Sequence, residues 1–546
     1  MLSPRIIISL VSIALIGNAH GVSLGTHAQS LLEESMSFLD QIYDPGAGYL
    51  YDFFGQNAII HTTRSSPYYA TGLLQRNRDG DVEQAEKILR NVIEDQYRDT
   101  TDQWYGDYTK YPESPPPGTP AYEAVIYESW DPNWRGFVGT NLVVIYEEFR
   151  DLLSPELQGL ILESLYNTSV GDTYRVGGVD DDNLYPSYSN PALMRAATAG
   201  WTGRKFNDRN MTMAAEKEAK DIIDLFNINN TLSEFNSPTY VSTSLGALTV
   251  WATYLPEDSI MAQNGARMTQ QIWDQLSSMY NPNLKNLAGP LDRAYGFDMN
   301  NYVALISLNI WTMVGKKSAP VKPTPWVMAH ANDYSTAPLI AVLAPYHNSL
   351  VASATFEKLT KFCGEHTWTG QAYAPPSDKV VRNITSWVSA NMTIGAESFD
   401  ENYWGGPRQD ISQWNPAVVQ WLRYDSSVGF MNLYPSKNSL DVDVAPGVLN
   451  LTYPGAEPGN TTFTFLVNPN PLDVGQSRYI KGWDDVAGVD VSVAGTVDLV
   501  PEISFCGAIG GACEAIHGFE VWNFTYSMPE GSTQTPNIQF HFELTP

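Results

Sequence analysis

The sequence KKSAPVKPTP, residues 316–325, divides the chain into two parts with different hydrophobic patterns. Before it, apolar residues recur at three- and four-residue spacing, which is typical of helices that bury one face. After it, short β-branched and aromatic runs alternate with Gly, Pro and Asn clusters, which is typical of strands. Because proline and charge are both frequent in this segment, we expect a linker at 317–325 between two domains.

The helical part, residues 20–316, is predicted to form an N-terminal (α/α) toroid of helical hairpins. Helical spacing occurs in Ala28–Tyr43, Val82–Tyr97, Gly139–Leu153, Glu156–Tyr166, Met213–Phe226, Ser242–Tyr254, Met261–Tyr280 and Asn301–Val314. Long loops rich in Gly, Pro, Asn and Tyr separate some of these helices, notably 104–134 and 177–191. Loops of that length inside a compact domain usually carry function.

The part at 326–546 is predicted to form an antiparallel β-sandwich-like domain, which makes the fold class α+β multidomain. Strand-like runs are Leu339–Leu343, Leu350–Phe356, Ile384–Ser389, Val428–Leu433, Thr461–Val467, Val489–Val493 and Ile538–Leu544. Their Gly, Pro and Asn boundaries are those of strands joined by turns.

The first residues have the layout of a cleaved signal peptide. Arg5 precedes the apolar run Ile6–Ile16, and small residues follow up to Ala19. This pattern predicts a signal peptide at 1–19, a mature chain that starts near His20, and secretion. No later stretch has the roughly 18 apolar residues that a membrane-spanning helix needs.

Eight Asn-x-Ser/Thr sites accompany this signal, and we expect surface N-glycans on those that are used. They are Asn167, Asn210, Asn229, Asn383, Asn391, Asn450, Asn460 and Asn523.

Only three cysteines occur, so the fold must depend on its hydrophobic core and not on a disulfide framework. Cys506 and Cys513 are predicted to pair, because the glycine-rich spacing between them suits a small loop. Cys363 is left as a thiol that we expect to be buried.

The chain is strongly acidic, with 32 Lys and Arg against 60 Asp and Glu and a formal charge of −28. Nucleic acids and anionic membranes are poor partners for a protein with this negative electrostatic field. No phosphate-binding glycine loop, zinc-type Cys/His spacing, HExxH helix or GxSxG elbow occurs. We therefore expect no cofactor, although a structural metal is left open. We also expect a monomer.

Polar residues suited to a site are concentrated in loops of the helical part. One segment, 234–240, places Glu234, Asn236 and Tyr240 just before an apolar helix. In a toroid, such loops direct polar groups into a central cleft. Helix capping would explain the Asn and Ser of this segment, but not Glu234 and Tyr240 together.

A second segment, 292–296, combines a permanent cation, Arg293, with a phenol, Tyr295. Such a cation suits an anionic ligand. The alternative is an ordinary ion pair between Arg293 and its neighbour Asp292.

Together these strings resemble those of helical-toroid polysaccharide lyases, specifically the glucuronan and alginate lyases of polysaccharide lyase family 38. The resemblance rests on 234–240 and 292–296, with weaker support from Asn133-Trp134 and 189–191, and it covers the helical part. It implies β-elimination on a 4-linked uronic acid polysaccharide, an acidic substrate.

In that reaction the proton at C5 is removed and O4 leaves. The C5 proton is acidic only when the neighbouring carboxylate is neutralised, for which Asn190, Glu234, Asn236 and Arg293 are the candidates. Tyr295 is the candidate base and acid, with Tyr240 and Tyr302 as alternatives for that role. No His occurs between 61 and 330, which favours tyrosine. Further candidates for substrate binding are Tyr240, Trp134, Arg135, Glu128, Arg195 and Tyr302.

Two other functions are open at this stage. A toroid glycoside hydrolase would use paired carboxyls, for which Glu128, Asp131, Glu234 and Asp292 are available. A non-catalytic glycan-binding protein would use the 65 aromatic residues, 15 Trp, 30 Tyr and 20 Phe, only for stacking on sugars. A lyase product absorbs near-ultraviolet light through its new double bond, which distinguishes it from a hydrolase product.

Overall fold

A computed structural model describes residues 21–52, 60–175, 184–294, 305–321, 331–402, 414–469, 480–506 and 521–545. These residues form twelve α-helices followed by a large antiparallel sheet, which confirms the predicted α+β fold class with a helical toroid and a β-sandwich-like part. The predicted signal peptide, residues 1–19, lies outside the described residues.

The helices are α1 Thr26–Leu39, α2 Ser66–Arg76, α3 Asp81–Glu94, α4 Trp134–Phe149, α5 Pro155–Gly171, α6 Ser189–Lys205, α7 Arg209–Asn229, α8 Tyr240–Tyr254, α9 Ile260–Met279, α10 Ile306–Val314, α11 Ala337–Ser349 and α12 Ser353–Thr360. Helices α2, α4, α6, α8 and α11 each contact the next, and α11 closes the ring on α2. Helices α3, α5, α7 and α9 pack against this ring from outside. The outer helices are amphipathic, as in α3, where Ile88, Leu89 and Val92 are buried.

The strands of the large sheet are β6 His366–Ala372, β7 Arg382–Val388, β8 Met392–Asp400, β9 Ala417–Leu422, β10 Val428–Tyr434, β11 Ser439–Ala445, β12 Val448–Thr452, β13 Thr462–Asn468, β14 Val489–Gly495, β15 Glu502–Cys506, β16 Val521–Ser527 and β17 Asn537–Leu544. Five short strands, β1 Tyr43–Asp44, β2 Tyr49–Tyr51, β3 His61–Thr62, β4 Tyr280–Asn281 and β5 Asn286–Leu287, belong to the helical part. The main path of the large sheet runs β14-β17-β12-β11-β8-β9-β10-β13-β16-β15, with β7 also on β8 and β6 on β7.

This sheet folds over to make two layers. Phe465 of β13 and Phe540 of β17 are separated by several strands in the hydrogen-bonded order, yet their ring centres are 4.9 Å apart. The other face of the sheet meets the toroid, since Ile384, Val418 and Phe430 belong to the same apolar core as the ring helices. The two parts therefore share a buried interface.

Two strand predictions were wrong. Leu339–Leu343 lies within α11, and Leu350–Phe356 leads into α12. Helix α11 closes the ring and is buried on nearly every side, so its sequence lacks the polar face that reveals a helix. The change from helix to strand falls between Thr360 and His366, later than the predicted linker.

Candidate functional site

The ring helices α2, α4, α6 and α8 begin at the same rim of the toroid. Just before α2, the guanidinium of Arg64 lies over the ring of Trp134, the first residue of α4, at 5.7 Å. Just before α4, the Asn133 amide donates to the hydroxyl of Tyr188 ahead of α6, at 2.8 Å. Helix N-termini carry partial positive charge, so a rim built from several of them favours anions.

A buried ion pair lies at this rim, between α6 and α8. Nη1 of Arg293 is 3.2 Å from Oε1 of Glu234, and their side chains are only 5% and 1% exposed. The amide nitrogen of Asn190, in the first turn of α6, lies 3.5 Å from the other carboxylate oxygen of Glu234. Three residues selected from separate stretches of sequence are therefore in contact.

Two tyrosines flank the Arg293 guanidinium. Its central carbon is 3.9 Å from the ring centre of Tyr240, at the start of α8, and 5.1 Å from that of Tyr188. A cation over an aromatic face is attracted by the ring quadrupole. Arg293 also has a φ of 45°, in the left-handed region that non-glycine residues rarely adopt. Such strained residues are concentrated at functional sites.

Asn236 joins the two loops that supply the ion pair. Its amide nitrogen donates to the carbonyl of Pro290 at 2.9 Å, and the hydroxyl of Ser237 donates to the Arg293 carbonyl at 3.3 Å. Among the described residues, the buried Asn236 amide oxygen has no hydrogen-bond partner. Ser237 also accepts from the Tyr240 amide, the first of α8, at 3.0 Å, so of the two residues considered for capping Ser237 binds a helix amide, whereas the amide nitrogen of Asn236 donates to the Pro290 carbonyl.

Asp292, next to Arg293, is a buried carboxyl with an unusual proton affinity. Burial raises the pKa of Asp292 to about 7, and the nearby carboxylates of Glu234 and Glu397 reinforce the rise. The guanidinium groups of Arg382 and Arg293 oppose it. The carboxylate of Asp292, which was considered as an ion-pair partner for Arg293, lies 3.7 Å from Nη1 of Arg382.

Arg135 makes contacts away from this cluster. Its guanidinium is buried and donates to the backbone carbonyls of Tyr105 at 2.9 and 3.1 Å and of Gln103 at 2.8 Å. It thereby fastens the long loop before α4 to that helix. The buried carboxyl of Asp107 belongs to the same loop, and burial raises its pKa.

The other residues predicted to bind substrate occupy different places. Arg195 forms an ion pair with Glu218 at 2.7 Å and lines a pocket of about 260 Å³ between α6 and α7. Glu128 is exposed, and its carbonyl accepts from Lys110 at 3.0 Å. Trp134 lies buried under Arg64. Tyr240 touches the ion pair, through the guanidinium of Arg293.

Several predictions concern residues that are not described. Tyr295 and Tyr302 lie outside the described residues, as does Cys513, so the disulfide with Cys506 stays a prediction. Cys363 is exposed, not buried as expected. Of the eight glycosylation candidates, Asn210, Asn383, Asn391 and Asn460 are exposed, and Asn167, Asn229, Asn450 and Asn523 are half-buried.

Sequence reasoning missed Tyr188 and Arg382 as parts of this cluster. Tyr188 is the first residue of the polar segment 188–191 that contains Asn190, so that segment could have pointed to it. Arg382 begins strand β7 in the other domain and gives no local signal. In the described part of the chain, no group of three or more His, Cys, Asp or Glu is placed to hold a metal ion. Among those same residues, no helix is long and apolar enough to cross a membrane.

Comparison with solved structures finds similarity to heparinase III, with a TM-score of 0.44 at 10% identity over 99% of this chain and 88% of that one. Chondroitin AC lyase from Streptomyces coelicolor A3 has a TM-score of 0.37 at 9% identity, over 95% and 80% of the two chains. Xanthan lyase from Paenibacillus has a TM-score of 0.34 at 10% identity, over 94% and 56%. No curated protein matches the sequence.

Two family models match the chain, one on each side of the change from helices to strands. Residues 364–543 match the domain of unknown function DUF8770. The helical part matches a different model over 29–345, which is more than half of the chain, and the protein therefore belongs to the family described as domain of unknown function DUF8769.

Proposed function

We propose that this protein is a polysaccharide lyase that cleaves a 4-linked uronic acid polysaccharide, of glucuronan or alginate type, by β-elimination. The observation that carries the proposal is the contact of Arg293 and Asn190 with Glu234 at the toroid rim. Asn190 and Arg293 carry the donors that a uronate carboxylate needs, and the three residues come from separate parts of the chain, the first turn of α6 and two loops.

The proposed roles follow from the chemistry of each group. The amide of Asn190 and the guanidinium of Arg293 donate to the substrate carboxylate, and they stabilise the charge that develops when the C5 proton leaves. Glu234 holds Arg293 in place by the 3.2 Å ion pair. A tyrosinate takes the C5 proton and becomes a phenol, which then gives that proton to the leaving O4 and returns to tyrosinate; Tyr295 is assigned this role from its position two residues after Arg293.

The net charge of −28 does not oppose an acidic substrate at this site. Charges are screened beyond about 8 Å at physiological salt, so the local field decides binding. Here that field includes the N-termini of α4, α6 and α8, which favour an anion, and the guanidinium of Arg293, whose charge the carboxylate of Glu234 partly balances.

We also propose that the protein is secreted, starts near His20 and carries N-glycans, on the basis of the signal-like N-terminus and the sequons. An extracellular location would bring the site to polysaccharides outside the cell.

The test is a substrate panel with two readouts. Glucuronan, alginate and a neutral glucan are each incubated with the protein, while near-ultraviolet absorbance and reducing ends are recorded together. A lyase raises both the absorbance and the number of reducing ends on a uronate polymer. Reducing ends without absorbance would indicate the hydrolase that uses paired carboxyls, and binding without either signal would indicate a non-catalytic glycan-binding protein.

A further inference from the structure

The β-rich domain holds the first of the two loops that carry the ion pair. This first site loop, residues 230–239, joins α7 to α8 and contains Glu234. The hydroxyl of Thr231 donates to the Gln371 carbonyl at 2.6 Å, and the hydroxyl of Ser233 donates to the Tyr373 carbonyl at 2.5 Å. Both acceptors lie at the end of β6, so the loop is fastened to the sheet just before Glu234.

The same domain holds the second site loop, residues 288–294, which contains Arg293. Ser386 of β7 donates to the Gly289 carbonyl at 2.6 Å. Leu291 and Asn415 exchange two backbone hydrogen bonds, of 3.0 and 2.9 Å, as in a short antiparallel bridge. The sheet thus fixes this loop on both sides of the cis peptide before Pro290.

One side chain of the sheet reaches both loops. Arg382, the first residue of β7, is fully buried, and its Nη2 donates to the carbonyl of Ser233 at 2.6 Å. Its Nη1 lies 3.7 Å from the carboxylate of Asp292. Ser233 directly precedes Glu234, and Asp292 directly precedes Arg293.

Arg382 is itself held in one position by carboxylates of its own domain. Its Nε donates to Asp378 at 3.1 Å, and its Nη1 lies 3.6 Å from Glu397. Glu397 is fixed in turn, because the indole of Trp414 donates to it at 2.7 Å. A planar guanidinium with fixed partners has little freedom, so the distance between the two loops that it joins is set.

We infer that Arg382 is a positioning residue that sets the spacing of Glu234 and Arg293, and that through it the β-rich domain completes the site in the toroid. The catalytic consequence rests on the proposed lyase function, whereas the effect on the two loops does not. A displacement of about 1 Å in a catalytic group can cost about 10²-fold in rate, which makes such spacing consequential.

The test compares Arg382→Met with Arg423→Met in the full-length protein. Arg423 is a matched control because it is also buried in the sheet, yet its guanidinium donates only within the β-rich domain in the contacts described, to Asn468, Ala487 and Ser427. Hydrogen–deuterium exchange followed by mass spectrometry reports on peptides that cover 230–239 and 288–294. Ser386→Ala, which removes a single hydroxyl, serves as a milder variant if Arg382→Met does not fold.

We expect Arg382→Met to speed exchange in both loop peptides by about tenfold or more, while Arg423→Met leaves them unchanged. Ser386→Ala is expected to speed exchange at 288–294 alone. Equal exchange in the two arginine variants, or no change at 288–294 in Ser386→Ala, would overturn the inference.

Turnover of a uronate polymer is the second readout. If wild type cleaves it, Arg382→Met should lower kcat by about 10²-fold with a smaller change in KM, since positioning acts on the bound substrate. Unchanged kcat together with faster exchange would contradict the catalytic consequence. If wild type cleaves no uronate, the proposed function fails, and the exchange result alone still decides whether Arg382 spaces the loops.

Discussion

The guanidinium carbon of Arg293 lies 3.9 Å from the ring centre of Tyr240. One face of this cation is therefore covered by an aromatic ring, and one of its nitrogens is bound to Glu234. Such a group is fixed in orientation before any ligand arrives. Preorganised donors of this kind stabilise developing charge without having to move during the reaction.

Replacement of Arg293 by lysine tests whether the site needs the planar guanidinium and its fixed orientation. Arg293→Lys keeps the charge but loses the planar group that lies on Tyr240 and can bind a carboxylate through two nitrogens. We expect kcat/KM on a uronate polymer to fall at least about tenfold, because a hydrogen bond to a charged group contributes about 1.5–3 kcal/mol. Arg423→Lys, in the β-rich domain, is the control. Equal losses in the two variants would mean that Arg293 acts only through stability.

Tyr295→Phe tests the assignment of the base. The variant keeps the ring and loses the phenol, so folding should be unchanged while kcat falls about 10²- to 10⁴-fold. Tyr240→Phe is the matched comparison, since its ring remains over Arg293 and only its hydroxyl is lost. We expect a much smaller loss there. The reverse order of the two losses would assign proton transfer to Tyr240.

The buried carboxyl of Asp292 predicts a dependence of stability on pH. Its pKa is about 7 in the folded chain, against an ordinary value of 3.8. Between these values the folded chain holds a proton that the unfolded chain has lost. The stabilisation of the folded state by the proton on Asp292 is therefore complete below about pH 3.8, and it is lost as pH rises through about 7.

Urea denaturation at about pH 5 and about pH 7.5 measures this effect. The contribution of Asp292 makes the free energy of unfolding of wild type larger at the lower pH. Asp292→Asn should therefore show a smaller difference in unfolding free energy between the two pH values. An identical difference in both proteins would show that Asp292 does not hold the proton.

Arg135 is expected to act on the fold. Arg135→Met removes both side-chain hydrogen bonds to the buried carbonyl of Tyr105, and an unsatisfied buried carbonyl costs about 1–3 kcal/mol. The thermal midpoint should fall, while kcat per folded molecule stays close to wild type. Arg150→Met, at an exposed position, should change neither. A loss of kcat in Arg135→Met without a change in the thermal midpoint would indicate that Arg135 binds substrate.

The parts of the fold that follow from local pattern could be predicted from the sequence. Helix α3 shows its buried stripe of Ile88, Leu89 and Val92 because its other face meets solvent. Helix α11 has no such polar face, and its Leu339–Leu343 segment was therefore taken for a strand. Strand β7 was predicted from its composition, but β6, with alternating polar residues, was not.

In the site, too, some residues could be predicted from local sequence and others could not. Glu234, Asn236 and Arg293 belong to conspicuous polar strings beside helix starts, so their selection needed only local information. The contact of Arg382 with Asp292 joins residues from different domains, and nothing in the spacing of the sequence indicates it. The pKa of Asp292 likewise depends on burial between the two domains, which only the structure provides.

The lyase function is tested most directly by following the near-ultraviolet absorbance of unsaturated uronate over time, for wild type and Asn190→Ala at equal folded concentration. We expect product formation by wild type. In Asn190→Ala we expect a rate lower by about 10²- to 10³-fold with an unchanged thermal midpoint, because one preorganised donor to the developing charge is lost. A wild-type rate in Asn190→Ala, or new reducing ends from wild type without absorbance, would contradict this mechanism.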